Sequence, residues 1–217
     1  MTTKTISLDL HGPIQPPNLL RYDRMMRRYV DERREDGAFG IVETAGTMRL
    51  RERLTRLNIE LVSIRGDEAL RPFIGLGGTL VAPGRKTLIW IDSAAQDSPA
   101  ALSDRFFHEA IHATGRVLRS HEFLPDDTLH PQAHVAEEIV AMRGSNLIAR
   151  FVGIDIGPLA HHNRRQATRH ARHLLRNGWE CHQLSELKRQ GHHAALLLAD
   201  ERYEGMFHAF VQMNNAP

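Results

Sequence analysis

The sequence predicts an α+β fold, in which a small antiparallel sheet comes before two crossing helices and a helical tail packs behind them. Two observations predict this fold. Residues 59–92 contain short strand-like runs bounded by glycine and proline, whereas the longer stretches on both sides repeat apolar residues at helical spacing. With 217 residues, 41% of them hydrophobic and 25% charged, the chain is long enough for one well-packed domain or one domain with an accessory.

The N-terminal part is predicted to be helical. Glycine and prolines indicate a loop over 11–18, and apolar residues at helical spacing then predict helices over 19–35 and 45–57. We therefore expect 1–58 to be an N-terminal helical segment that packs on a core domain formed by 59–217.

The charge pattern gives only weak support for nucleic acid as a partner. The arginines of 19–35 alternate with aspartate and glutamate, which is typical of a solvated, salt-bridged face. The net charge of the whole chain is only +2, whereas a binding stripe normally carries a clear basic excess. The sequence predicts no particular oligomeric state.

Cysteine content and hydropathy predict a cytoplasmic protein without membrane contact. Cys181 is the single cysteine, so no disulfide forms within the chain, as is usual in a reducing compartment. The first ten residues are too polar for a signal peptide, and no apolar run approaches the roughly 20 residues that a membrane span needs.

Three strands are predicted between the N-terminal helices and the following helix. Residues 59–64 alternate as a strand, and 73–82 and 86–92 read as two strands joined by a short turn at Pro83, Gly84 and Arg85.

The helix that follows the strands carries a motif with chemical meaning. Pro99 suits its first turn, and His108, Glu109 and His112 spell H-E-x-x-H within the helical stretch 103–119. Residues four apart share one helix face, so His108 and His112 can bind the same metal ion. The pattern indicates a zinc site in which Glu109 takes a proton from a water next to the metal.

A zinc site needs a third protein ligand, and the next helix offers one. The position where a third histidine would follow on the motif helix is Leu118. Residues 133–151 form an apolar, largely buried helix, in which the carboxylates of Glu137 and Glu138 need partners. We expect Glu138 to be the ligand, with Glu137 as the second choice. Other candidates remain open: His134, His121, His130, Asp126 and Asp127.

These residues resemble those of a known family. Phe-His-Glu-x-x-His-Ala-Thr-Gly at 107–115, followed after a loop by Glu-Glu-x-Val-Ala at 137–141, resembles the zincin-type metallopeptidase domain of plasmid anti-restriction proteins of the ArdC type and of similar phage and mobile-element proteins. Residues 138–144 also resemble the glutamate-bearing helix of thermolysin-like gluzincins. The resemblance covers roughly residues 73–180, and its specific part is the two helices.

The resemblance implies roles for individual residues. His108, His112 and Glu138 would bind Zn²⁺, and Glu109 would be the catalytic base. In gluzincins an acidic residue four positions after the glutamate ligand buttresses a histidine, but here that position is Met142. The chain departs from the family pattern there, so the partners that orient its imidazoles come from elsewhere or are missing.

The resulting hypothesis is a zinc metallopeptidase that hydrolyses peptide bonds of an intracellular protein or peptide. In zincins an antiparallel edge strand beside the metal pairs with the extended substrate, so one of the predicted strands is expected to do so. The alternative is a catalytically silent, metal-containing protein with an anti-restriction role, which binds DNA or another protein. An intact Glu109 argues against the alternative, and the missing acid at Met142 favours it.

The C-terminal third is predicted to be helical over 159–176, 184–190 and 192–210. The histidines of 159–176 are interleaved with arginines, which is more typical of a solvated or interface face than of a site. The alternative is that one side chain of this part stabilises the oxyanion of the reaction, as histidine or tyrosine does in other enzymes. The sequence leaves five candidates for that role: His161, His162, His170, His173 and Tyr203. The polar segment 123–131 is bounded by proline and is expected to cover the cleft.

Overall fold

The computed structural model describes residues 16–35, 39–71, 75–80, 86–94, 98–115 and 131–214. The helices of these ranges are α1 (Pro16–Glu32), α2 (Ala45–Arg56), α3 (Pro99–Ala113), α4 (Pro131–Phe151), α5 (Pro158–Arg176), α6 (Cys181–Ala199) and α7 (Glu204–Asn214). The strands are β1 (Arg34–Glu35), β2 (Ile59–Ile64), β3 (Gly77–Leu80) and β4 (Thr87–Asp92). A short 3₁₀ helix, Glu201–Tyr203, joins α6 to α7. The predicted α+β class is confirmed. No helix among the described residues is long and apolar enough to cross a membrane.

The sheet is mixed, so the prediction of an antiparallel sheet is wrong at its centre. The strand order is β1-β2-β4-β3, in which β2 and β4 are parallel and the two outer pairs are antiparallel. Although β3 follows β2 in the chain, it lies at the opposite edge of the sheet from β1. The strand β4 lies between β2 and β3. It is antiparallel to β3 and runs in the same direction as β2. The predicted turn at 83–85 lies outside the described residues.

The first helix begins earlier and ends earlier than predicted. It starts at Pro16, inside the segment that was expected to be a loop, because proline is tolerated in the first turn of a helix, where its missing N–H costs no hydrogen bond. It ends at Glu32, and Arg34 and Glu35 pair with Ile64 and Ser63 as the short strand β1. The prediction for 11–15 lies outside the described residues.

Two apolar clusters hold the elements together. The larger one joins α2, α3, α4 and α6, and it includes the fully buried Phe106, Ile111 and Val140. The smaller one packs α1 on the sheet through Met26 and Trp90, among others. The helix α3 contacts both the sheet and α4, and its residues 100–113 are all buried or half-buried.

The prediction of separate helices over 184–190 and 192–210 is wrong, because the chain stays helical through Gly191. The helix α6 runs without interruption from Cys181 to Ala199. A Cβ on Gly191 would lie 2.7 Å from the carbonyl oxygen of Val140 and 3.3 Å from the amide nitrogen of Gly144. Glycine is therefore required here for the close approach of α4 and α6, and not for a bend.

Gly144 has a matching role on α4. A Cβ there would lie 2.5 Å from Ile111 Cδ1 and 3.2 Å from the carbonyl oxygen of Gly191. Both α3 and α6 therefore touch the backbone of α4 at the same place.

We expect Gly191→Ala to lower the free energy of unfolding by about 1–3 kcal/mol, because the added methyl group meets backbone atoms that cannot move without separating two helices. Gly205→Ala is the matched control. Gly205 lies in α7 with nothing within 4 Å of an added Cβ, so alanine should leave stability unchanged or raise it by up to about 1 kcal/mol. Urea unfolding of both variants measures the difference, and equal effects would contradict the close-approach explanation.

A buried arginine ties the C-terminal helix to α2. Arg53 is 1% exposed and donates hydrogen bonds to the carbonyl oxygens of Leu197 at 2.8 Å and Asp200 at 3.2 Å. Its guanidinium also forms an ion pair with Glu204, through Nε and Oε2 at 3.1 Å. Partial burial alone would raise the pKa of Glu204, but the hydrogen bond and the charge of Arg53 lower it below its usual value.

Because this pKa is lowered by folding, the charge on Glu204 stabilises the fold fully above about pH 4.5, and the contribution is lost as pH falls through the folded pKa. We expect Glu204→Gln to lower the free energy of unfolding near pH 7 by about 1 kcal/mol, since Glu204 is partly exposed to solvent. Urea unfolding across the acid range should show the two proteins converging in stability at low pH. A difference that persists unchanged in strong acid would mean that the charge is not the cause.

Candidate metal centre

The helix α3 presents the H-E-x-x-H residues along the edge of its buried face. Its N-terminus is capped by Ser98, whose side chain accepts a hydrogen bond from the backbone amide of Ala101 at 3.2 Å, and Pro99 occupies the first turn as predicted. The helix buries Phe106, Phe107, Ala110 and Ile111. Helical periodicity then leaves the three motif residues half-buried at the rim of the core: His108, Glu109 and His112.

The helix α4 brings Glu138 to the same rim. Its neighbours Ala136, Ile139 and Val140 are buried against α3 and α6, which turns Glu138 toward the histidines. Glu138 Oε1 lies 3.3 Å from His112 Nε2, and Oε2 lies 3.5 Å from His108 Nε2. The two histidine Nε2 atoms are 3.0 Å apart.

His108, His112 and Glu138 form a cluster that could hold a metal ion, because one ligand atom from each lies within 4.8 Å of the others. A tetrahedral ion bound at about 2.0–2.1 Å keeps its ligand atoms about 3.3 Å apart. Two pairs of atoms are close to this separation: the two histidine Nε2 atoms, at 3.0 Å, and His112 Nε2 with Glu138 Oε1, at 3.3 Å. The other oxygen of Glu138, Oε2, lies 3.5 Å from His108 Nε2. The spacing of the three side chains is therefore compatible with a small tetrahedral cation.

The electrostatics of the cluster show how strongly its groups interact. Burial alone would lower the pKa of His112, but hydrogen bonds to Glu137 and Glu138 and the charge of Glu109 raise it to about 10. Burial likewise opposes the charge of Glu138, yet its hydrogen bonds with His108 and His112 hold its pKa far below the usual range. A positive charge placed among these carboxylates is thus stabilised, whether a proton or a metal ion supplies it.

Glu137 contacts the other side of the His112 ring. Its Oε1 lies 3.2 Å from His112 Nδ1, the nitrogen that points away from the cluster. A carboxylate at this nitrogen fixes the orientation of an imidazole ligand and raises its basicity. The partner that seemed to be missing at Met142 is therefore supplied by the residue next to Glu138. Glu137 therefore lies at Nδ1 of His112, whereas Glu138 lies beside the Nε2 atoms of both histidines.

Glu109 is held by the edge strand of the sheet. The hydroxyl of Thr79, in β3, lies 2.8 Å from Glu109 Oε2 and 3.1 Å from the backbone carbonyl oxygen of Glu109. The carboxylate is therefore directed by a side chain that lies 30 positions earlier in the chain. The sequence pattern did not reveal Thr79, because period-two alternation says which residues share a strand face but not which helix residue they meet.

A network of polar side chains connects α5 to the two helices that carry the cluster. The side-chain nitrogen of Asn163 lies 3.0 Å from Asp104 Oδ1, 3.3 Å from Asn146 Oδ1 and 3.4 Å from Ser145 Oγ. Asp104 precedes His108 by one helical turn, and burial raises its pKa. The network joins α3, α4 and α5 near the site. No sequence motif indicated it, because its residues are scattered over three helices.

The remaining candidates do not join the cluster in the described structure. His134 is exposed on α4, and His121, His130, Asp126 and Asp127 lie outside the described residues, as does most of the predicted covering segment 123–131. Of the expected oxyanion donors, His161, His162 and His173 are exposed, and His170 is half-buried. Tyr203 packs against the core beside α7. Among residues 131–214, none of these side chains forms a hydrogen bond or ion pair with His108, His112 or Glu138.

Comparison of the chain with protein-family models, with curated proteins and with solved structures gives no match.

Proposed function

We propose that this protein is a zinc-dependent peptidase with a zincin-like arrangement of α3, α4 and β3. The observation that supports the proposal most is the combination of a His-His-Glu cluster with a carboxylate, Glu109, that stands beside the cluster and is oriented by the sheet. A metal site that only stabilised the fold would need the cluster but not Glu109 beside it.

His108, His112 and Glu138 would hold the ion, and two imidazoles with one carboxylate are a ligand set typical of catalytic zinc. Bound zinc supplies a Lewis acid that polarises a carbonyl group and makes a water more acidic. Glu137 keeps the His112 ring in place through Nδ1.

Glu109 is the residue we assign to proton transfer. Thr79 engages Oε2, so Oε1 is the oxygen that takes a proton from the attacking water and returns it to the amine of the leaving peptide. One hydrogen bond to the carboxylate fixes its direction while leaving the second oxygen for this exchange.

The free edge of β3 within the described sheet is the proposed binding site for the substrate peptide. Within the described sheet β3 is an outer strand, which pairs with β4 on one side and contacts α3. An extended peptide can add to such an edge through main-chain hydrogen bonds. Because Thr79 belongs to this strand, a peptide bound there would pass next to Glu109.

We expect Thr79→Val to lower kcat about tenfold with little change in KM, because the shape of the side chain stays and only the hydrogen bond to Glu109 is removed. The measurement is steady-state cleavage of a quenched fluorescent peptide selected from a library. Thr55→Val is the control, since the hydroxyl of Thr55 bonds only to the backbone of Arg51 on the exposed face of α2. An unchanged kcat in Thr79→Val would remove Thr79 from the site.

The test of the proposal as a whole is cleavage of such a library by the zinc-loaded protein and its loss in Glu109→Gln.

A further inference from the structure

The helix α5 differs from the rest of the protein in charge. It carries five arginines, four histidines and no acidic residue. With histidine neutral, its formal charge is +5. The remainder of the chain has 23 lysines and arginines against 26 acidic residues, a formal charge of −3. The protein is thus weakly acidic apart from one strongly basic helix.

The arginines of α5 are concentrated on its outward face. The helix buries Asn163, Ala167 and Leu174, which mark the side that packs on the protein. Four exposed arginines lie on the opposite side: Arg165, Arg169, Arg172 and Arg176. At 3.6 residues per turn their spacing places them within about 60° of arc and along about 16 Å of the helix. They form one stripe, which we call the α5 arginine stripe.

Many arginines elsewhere pair with carboxylates, whereas those of the stripe form no ion pair among the described residues. Arg27 pairs with Asp23 at 3.0 Å on α1, and Arg51 pairs with Glu43 at 3.1 Å beside α2. In the described part of the chain, no carboxylate lies within ion-pair distance of a stripe arginine. Arg169 donates one hydrogen bond to the neutral side chain of Gln166, at 3.4 Å, which leaves the positive charge of the stripe unbalanced within the described residues. An external anion would complement this charge.

We propose that the α5 arginine stripe binds the phosphate backbone of double-stranded DNA without sequence preference. Guanidinium groups match phosphate oxygens through paired hydrogen bonds, and α5 contains arginine with no lysine. Binding to the backbone releases counterions from the duplex, so its affinity depends strongly on salt.

The composition of α5 argues against other polyanions. An anionic membrane surface would require large apolar side chains for insertion, whereas Leu175 is the only exposed large apolar residue of α5. Single strands are bound by stacking on aromatic side chains, and α5 has no phenylalanine, tyrosine or tryptophan. A helix about 10–12 Å wide fits the roughly 12 Å major groove of B-form DNA, but not the narrow groove of duplex RNA.

The test is fluorescence anisotropy with the full chain and a labelled duplex of arbitrary sequence, about 20 base pairs long. Four phosphate contacts predict a slope of about −3 to −4 in log affinity against log salt, which is about a hundredfold loss between roughly 50 and 200 mM. The variant R165Q/R169Q/R172Q/R176Q should bind at least tenfold more weakly at low salt, and the slope should approach zero.

The matched control is R28Q/R34Q/R51Q/R189Q, which removes the same charge from arginines that are paired on other surfaces. It should bind the duplex with an affinity close to that of the wild type. Circular dichroism and thermal unfolding verify that both variants are folded. If both quadruple variants weaken duplex binding equally, the assignment to α5 is overturned. It is also overturned if the wild type does not bind the duplex at low salt.

Tighter binding of duplex RNA, of single-stranded DNA or of phosphatidylserine vesicles than of duplex DNA would overturn the choice of ligand. The inference does not rest on the peptidase proposal, because Glu109→Gln and metal-free protein should bind the duplex as the wild type does. Loss of one activity therefore does not imply loss of the other.

Discussion

Glu109→Gln is expected to lower kcat for peptide cleavage by about 10³-fold while the zinc content stays at one ion per chain. General acid–base groups contribute about 10²–10⁴-fold, and glutamine keeps the size of the side chain and an oxygen for the Thr79 hydroxyl, but does not exchange a proton. Zinc content is measured by mass spectrometry of the purified protein, and cleavage is measured with the peptide selected for the wild type.

Glu52→Gln on α2 is a suitable control, because it makes the same chemical change in a different part of the protein. Two outcomes would contradict the proposal. If Glu109→Gln retains wild-type kcat, Glu109 is not the base. If the wild type binds zinc but cleaves no member of a peptide library, the alternative of a catalytically silent metal protein gains support.

His112→Ala and Glu138→Ala are each expected to abolish stoichiometric zinc binding at micromolar concentrations of metal. Each substitution leaves only two ligands in a cluster whose ligand atoms are already close to tetrahedral spacing. Glu137→Ala provides the sharpest comparison, because Glu137 contacts His112 only through Nδ1. Its loss should weaken zinc binding by about 10–100-fold without abolishing it.

The assignment of the third ligand depends on this difference between two adjacent glutamates. Competition with a zinc chelator of known affinity measures the zinc affinity of each variant, with His134→Ala as a control on the exposed face of α4. Zinc retained by Glu138→Ala and lost by Glu137→Ala would reverse the two roles. Wild-type protein that binds no zinc at neutral pH would refute both the metal site and the proposed function.

The parts of the site that follow helical spacing were predictable from the sequence. His108, His112 and Glu138 lie on two helices whose apolar periodicity fixes which side faces the core, so the structure brings together the residues that the motif singled out. Thr79 and the Asp104–Asn163 contact were not predictable, because each joins segments through tertiary packing.

The errors in the predicted fold also arise from tertiary packing. Alternation predicted the strands but not the crossover that makes β2 and β4 parallel, because strand order is a property of the whole sheet. The sequence predicts separate helices over 184–190 and 192–210, whereas α6 runs through Gly191, where the close approach of α4 requires a glycine despite its low helix propensity.

The close approach at Gly144 also bears on the metal cluster. Ile111 immediately precedes His112, and Gly144 lies on the same helix as Glu138. The distance between the two ligand-bearing helices is therefore set where Ile111 rests on bare backbone, in the space that a methyl group at position 144 would fill. A methyl group at position 144 would therefore push Ile111, and with it His112, away from the helix that carries Glu138.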